Sequence, residues 1–159
     1  MALLVGYSDS DYAGDQESRR SVSCVWVELD SVPICAYSRQ QSIIATSSAE
    51  AEYYAMSGAA VELLGISSLL TELRIEHHVI LRSDSSSGRS LANRRGFGRM
   101  KHIDVKCLWL QECIALKRIV LQSVKSEDNP ADVGTKHISA GRLLVLRDLL
   151  HLTEDDLTG

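Results

Sequence analysis

The stretch Ser47-Ser48-Ala49-Glu50-Ala51-Glu52-Tyr53-Tyr54-Ala55-Met56 opens the longest periodic segment of this 159-residue chain, and its reading decides the fold. Thr46 or Ser47 is a capping residue, acids stand in the first turns, and Ala, Met and Leu recur at helical spacing to about Leu73, which predicts a long helix. Side chains two apart on a helix point roughly 200° from each other, so Glu50 and Glu52 cannot share a face. Glu52 lines up with Ala55, Met56, Ala59, Leu63, Ile66 and Leu70, the apolar stripe, whereas Glu50 aligns with Tyr53, Tyr54, Ser57 and Val61. Glu52 is therefore expected to point inward. A carboxylate above a buried stripe is costly unless compensated, and a cation compensates it.

Upstream of that helix, Leu3 to Asp9 reads as a strand followed by the small, polar turn cluster Ser10 to Ser21. Ser23 to Leu29 and Ile34 to Ser38 read as two more strands, with Asp30 to Pro33 as a hairpin loop. Downstream, the expected order is a strand at Val79 to Ser83, a short helix at Ser86 to Asn93, a helix at Ile103 to Ala115 and a strand at Arg118 to Val124. Pro130 then opens a helix behind Asn129, and Gly141 to Leu150 is a final amphipathic helix. Three antiparallel strands followed by helix–strand alternation predict an α/β fold with a mixed five-stranded sheet flanked by helices. One domain over residues 1–152 is expected, with the acidic tail 153–159 frayed.

Composition narrows the class. Hydrophobic residues make up 45% and charged residues 24%, the balance of a soluble globular protein. No uncharged apolar run approaches the roughly 20 residues of a spanning helix, and no membrane partner is expected. Cys24, Cys35, Cys107 and Cys113 lack close pairing and read as reduced, buried thiols, although Cys24 and Cys35 could face each other across the hairpin. His77 and His78 read as a turn, Trp26 and Trp109 as core. The net charge of −4 argues against indiscriminate coating of nucleic acid, so any such contact must be local. Between Arg82 and Lys106 seven basic residues stand against Asp84 and Asp104, a local excess of five. Arg94, Arg95, Arg99 and Lys101 flank Gly96 and Gly98 in a loop suited to gripping phosphates.

Four acids can converge: Asp9 at the end of the first strand, Glu52, Asp84 at the end of the fourth strand, and Asp132 behind Pro130. Asp9 and Asp11 have the same strand parity, so either could face the site. Oxygen ligands without nearby His or Cys suit Mg2+, or Mn2+ as its substitute, rather than zinc. Clustered carboxylates call for two such ions, a pair that drives in-line attack on phosphodiesters. The plainer alternative is that Asp132 and Glu50 merely favour helix N-termini.

Local matches add to this. Tyr7-Ser8-Asp9-Ser10-Asp11-Tyr12-Ala13-Gly14-Asp15 with Arg19-Arg20-Ser21 resembles the opening motif of the ribonuclease H domain of copia-type retrotransposon Pol polyproteins. Ser47-Ser48-Ala49-Glu50-Ala51-Glu52-Tyr53 is similar to that family's helix motif, Lys101-His102-Ile103-Asp104 to its third signature, and Asn129-Pro130-Ala131-Asp132 with Thr135-Lys136 to its last. The resemblance runs from about Gly6 to about Leu150. It implies a ribonuclease H-like fold and an endonuclease that cleaves the RNA strand of RNA–DNA hybrids during reverse transcription, leaving 5′-phosphates. It places the catalytic and metal-binding carboxylates on Asp9, Glu52, Asp84 and Asp132, with Asp11 and His137 as auxiliary candidates. Hybrid-binding candidates are Arg19, Arg20, Ser85, Arg94, Arg95, Arg99, Lys101 and His102. A reverse transcriptase domain N-terminal to the chain, and an intracellular location in cytoplasm or a virus-like particle, are the implied context. Two departures stand out: Ser85-Ser86-Ser87-Gly88 follows Asp84 where the family often has Asn and Gln, and the loop Lys125 to Asn129 lacks the histidine of cellular enzymes. A domesticated or decayed copy acting as a structural or nucleic-acid-binding module is the competing expectation. An integrase or resolvase on the same fold is a third.

Overall fold

Strand β1 (Ala2–Asp11) is the centre of a five-stranded sheet whose other members are β2 (Val22–Leu29), β3 (Val32–Gln40), β4 (His77–Ser83) and β5 (Val120–Ser123). The computed structural model describes residues 1–15, 17–94, 105–135 and 139–149. The strand order is β3-β2-β1-β4-β5. β1/β2 and β2/β3 are antiparallel, and β1/β4 and β4/β5 are parallel. The parallel pairs require crossovers, which α1 (Ser48–Glu72) makes from β3 to β4, and α2 (Ser86–Ala92) with α3 (Val105–Ala115) from β4 to β5. Two short 3-10 turns, Ser126–Asp128 and Pro130–Gly134, lead to α4 (Ala140–Leu149). The mixed α/β sheet expected from the sequence is thus the observed one.

Side-chain alternation gives the sheet two apolar faces. Leu4, Val25, Val27, Val79 and Leu81 meet Tyr53, Met56, Ala59, Ala60 and Leu63 of α1 in the main core. Val5, Tyr7, Cys24 and Trp26 form the opposite face, covered by Ala131. Gly6 is what lets α1 lie so close, since a Cβ there would stand 2.8 Å from Leu63 Cδ1.

Several expectations need correction. The hairpin loop is only Asp30-Ser31, with φ of 49° and 67°; Pro33 belongs to the edge strand β3, beside the register shift, where proline is tolerated. The β2/β3 register pairs Cys35 with Val27 and Cys24 with Ser38, so the two cysteines do not oppose each other; both are free thiols. His77 and His78 begin β4 rather than forming a turn, and the segment after Pro130 is 3-10 rather than α-helical. Of the four thiols, Cys24 and Cys113 are buried, Cys35 is only half-buried, and the Cys107 side chain lies outside the described residues. By length and composition α1 does pass as a bilayer-spanning helix, contrary to the run-length reading, but it is the core helix. The expected stripe on α4 is interrupted: Leu146 is fully buried while Leu143 and Leu144 are about half exposed, at 50% and 53%.

Candidate metal centre

Parallel pairing sets Ser8 beside Ser83, which brings Asp9 and Asp84 to neighbouring strand ends. Asp9 shares parity with Val5 and Tyr7 and so projects to the face that the Pro130–Gly134 turn covers. That turn delivers Asp132. One carboxylate oxygen from each of Asp9, Asp84 and Asp132 lies within 4.8 Å of the others.

Each acid is held. Asp9 is 1% exposed, and its Oδ2 accepts a hydrogen bond from Thr135 Oγ1. Asp84 Oδ2 accepts from Ser126 Oγ, and Asn129 Nδ2 stands 3.5 Å from Asp84 Oδ1. Asn129 is itself fully buried; its Nδ2 donates to the Ser8 carbonyl at 3.1 Å and its Oδ1 accepts from the Ala131 amide at 3.2 Å. Asp132 Oδ2 pairs with Arg142 Nη2 at 3.5 Å. Charges at this spacing repel by on the order of 3 kcal/mol per pair at an effective dielectric near 20, so the cluster calls for more positive charge than one arginine.

Cys24 faces Asp9 across the β1/β2 pair, and its sulfur presses on the backbone of Gly134, where a Cβ would come within 2.5 Å. Burial, with Asp9 and Asp132 adding to it, pushes its thiol up to about 11. In the absence of a bound metal the thiol is therefore neutral near pH 7.

Glu52 does not join the three-acid group. It stands where α1 crosses α2, with its Cβ 3.0 Å from where a Gly88 Cβ would lie. α1 packs on the opposite face of the sheet from Asp9, and Glu52 Oε2 is buried there. Helical phase does not account for its neighbour. Glu50 is fully buried, accepting from Thr46 N at 2.8 Å and Tyr54 Oη at 2.9 Å, while Glu52 is only half-buried. Asp11 also stays outside the group: its side chain lies against the turn at Gly14.

Of the expected nucleic-acid contacts, Arg19 is exposed with φ of 58° in a loop closed by Arg19 N to Asp15 O at 2.8 Å, and Arg20 is half-buried. Ser85 caps α2, its Oγ accepting from the Gly88 amide at 3.1 Å. Arg94 is exposed just past α2. Arg95, Arg99, Lys101, His102 and His137 lie outside the described residues. Arg82 donates to Tyr7 Oη at 3.0 Å and Arg89 to the Ser83 carbonyl, which ties both guanidinium groups to the body of the domain. Sequence reasoning missed Arg142. Its signal was an arginine in the first turn of a helix, where the macrodipole disfavours a cation and a partner elsewhere is implied.

No protein-family model matches the chain. It is 29% identical over 150 residues, 93% of its length, to the retrovirus-related Pol polyprotein from transposon TNT 1-94 of Nicotiana tabacum. It is 34% identical over 139 residues, 86% of its length, to the corresponding polyprotein from transposon RE2 of Arabidopsis thaliana. The chain spans 11% and 10% of those relatives. Among solved structures it is similar to LC11-RNase H1 in complex with an RNA/DNA hybrid, with a TM-score of 0.57, 16% identity, and 83% of this chain and 93% of that chain covered.

Proposed function

This chain is a homologue of copia-type retrotransposon Pol polyproteins with a ribonuclease H-like fold, and from that premise we propose that it is an endonuclease cleaving the RNA strand of RNA–DNA hybrids during reverse transcription. The observation that carries the reading is the convergence of Asp9, Asp84 and Asp132 within 4.8 Å. An all-oxygen donor set this tight fits magnesium or manganese rather than zinc. Asp9, Asp84 and Asp132 would hold the ions, with Glu52 closing the set from the α1 side. Two bound ions supply an activated water and stabilise the leaving oxygen of the phosphodiester.

The chain's own contribution is orientation. Thr135 fixes Asp9, Ser126 and Asn129 fix Asp84, and Arg142 steadies Asp132, which limits the freedom of the three carboxylates. The exposed Arg19 and Arg94, with Arg20, Ser85 and the basic residues Arg95, Arg99, Lys101 and His102, would follow the hybrid backbone, reading its shape and 2′-hydroxyls rather than base edges. Asp11 and His137 are auxiliary candidates. Attachment to a reverse transcriptase, in the cytoplasm or a virus-like particle, completes the proposal.

A labelled hybrid incubated with the chain and magnesium tests it: cleavage is expected, with loss of at least two orders of magnitude in Asp9→Asn, as removal of one transition-state contact costs about 10²–10³ elsewhere. Absent cleavage, or full activity in Asp9→Asn, refutes it. The position of Glu52 outside the three-acid group favours a second reading, a domesticated or decayed copy serving as a binding module. Calorimetric titration with magnesium separates the two, since an inert scaffold has no reason to take up two ions.

A further inference from the structure

Arg142 stands in the first turn of α4, its amide donating to Ser139 Oγ at 3.3 Å. The guanidinium reaches back to the turn that precedes Pro130. Nη1 donates to the Glu127 carbonyl, Nη2 donates to the Ser126 carbonyl at 2.8 Å, and the same Nη2 lies 3.5 Å from Asp132 Oδ2. Ser126, whose backbone is held in this way, is also the residue whose hydroxyl donates to Asp84. One side chain therefore grips the carboxylate of one acid and the backbone beneath the hydroxyl that orients another.

From this geometry we infer that Arg142 is a positioning residue of the metal centre: it sets the spacing of Asp84 and Asp132, so docking of α4 and affinity for divalent cations are coupled. The inference rests on the proposed reading that these acids hold cations. A planar fork with fixed N–H directions suits the task, because two carbonyls and a carboxylate are engaged from one rigid group, which an ammonium cannot reproduce. Among the described side chains of α4, Leu146 is fully buried, whereas Leu143, Leu144 and Val145 are each about half exposed, at 50%, 53% and 51%, so the Arg142 contacts weigh in its docking.

The test compares the intact chain with Arg142→Gln and Arg142→Lys, following hybrid cleavage against magnesium concentration and Mn2+ binding by calorimetry. Arg142→Gln is expected to raise the half-saturating metal concentration roughly tenfold, the usual cost of removing a partner of a metal ligand. The loss should fall on metal affinity more than on kcat. Arg142→Lys, which keeps the charge without the fork, should show a smaller rise in the same direction while its thermal unfolding in EDTA stays near that of the intact chain. Should Arg142→Gln fail to fold, the lysine variant decides alone. Unchanged metal dependence in a folded variant overturns the inference, and so does full rescue by lysine. An intact chain that neither binds manganese nor cleaves the hybrid refutes the proposed function instead.

Discussion

Replacing Asn129 by alanine removes three interactions at once from a fully buried position. The Ser8 carbonyl loses its 3.1 Å donor, the Ala131 amide its 3.2 Å acceptor, and Asp84 Oδ1 a neighbour at 3.5 Å. Loss of the cap costs about 1 kcal/mol, and a buried amide or carbonyl left without its partner costs about 1–3 kcal/mol. Because the groups share one network and relax together, the total is about 2–4 kcal/mol, a large part of the roughly 5–15 kcal/mol that holds a domain folded. Urea unfolding followed by circular dichroism should show the midpoint falling at constant slope, since the exposed surface is unchanged. In parallel, hybrid cleavage at a fixed, subsaturating magnesium concentration should fall further than stability alone explains, because Asp84 loses an orienting group. A loss under about 0.5 kcal/mol, the range of an ordinary surface change, would mean that Asn129 does not hold the strand ends together.

Gly134→Ala should cost about 1–3 kcal/mol, the usual cost of overpacking, because the new Cβ would meet Cys24 Sγ at 2.5 Å; Cys24→Ala in the same chain should recover part of it, and purely additive effects in a double-mutant cycle would refute the clash. The Cys24 thiol is raised from 9.0 to about 11, so the folded state prefers its neutral form. Its contribution to stability is fully present below pH 9 and is lost as pH rises toward 11, on the order of 2 kcal/mol. Between pH 8 and 10.5 the intact chain should therefore lose about 2 kcal/mol of unfolding free energy relative to Cys24→Ala, and equal losses in the two chains would refute the assignment to Cys24.

Local signals carried much of the architecture. Ser47 caps α1 as its type and position imply, with Oγ accepting from Glu50 N, and the three antiparallel strands followed by crossovers are what turn residues and hydrophobic period predict. Where the sequence misled, a tertiary term outweighed a local one. Helical phase sets Glu50 off the apolar stripe, yet it is fully buried, and the carboxylate turns back to accept from Thr46 and Tyr54. Pro33 read as loop because proline breaks ladders, but β3 is an edge strand and tolerates it. The short run after Pro130 carries a helix-start signature and stops as a 3-10 turn, with Thr135 committed to Asp9. The pairings of Ser126 and Asn129 with the strand ends were not legible, because no periodicity links them to strands that lie far away in sequence.

That distance has a temporal side. Thr135 meets Asp9 across 126 positions and Asn129 meets the Ser8 carbonyl across 121. Contacts of such long range close slowly, and on a ribosome they cannot close at all until the later residue has left the exit tunnel. The first three strands and α1 can begin to assemble while the chain is still being made, but the acid cluster cannot. Whatever chemistry these carboxylates perform is withheld from nascent polypeptide, and a chain cut short before Asp132 keeps a hydrophobic scaffold with no assembled centre.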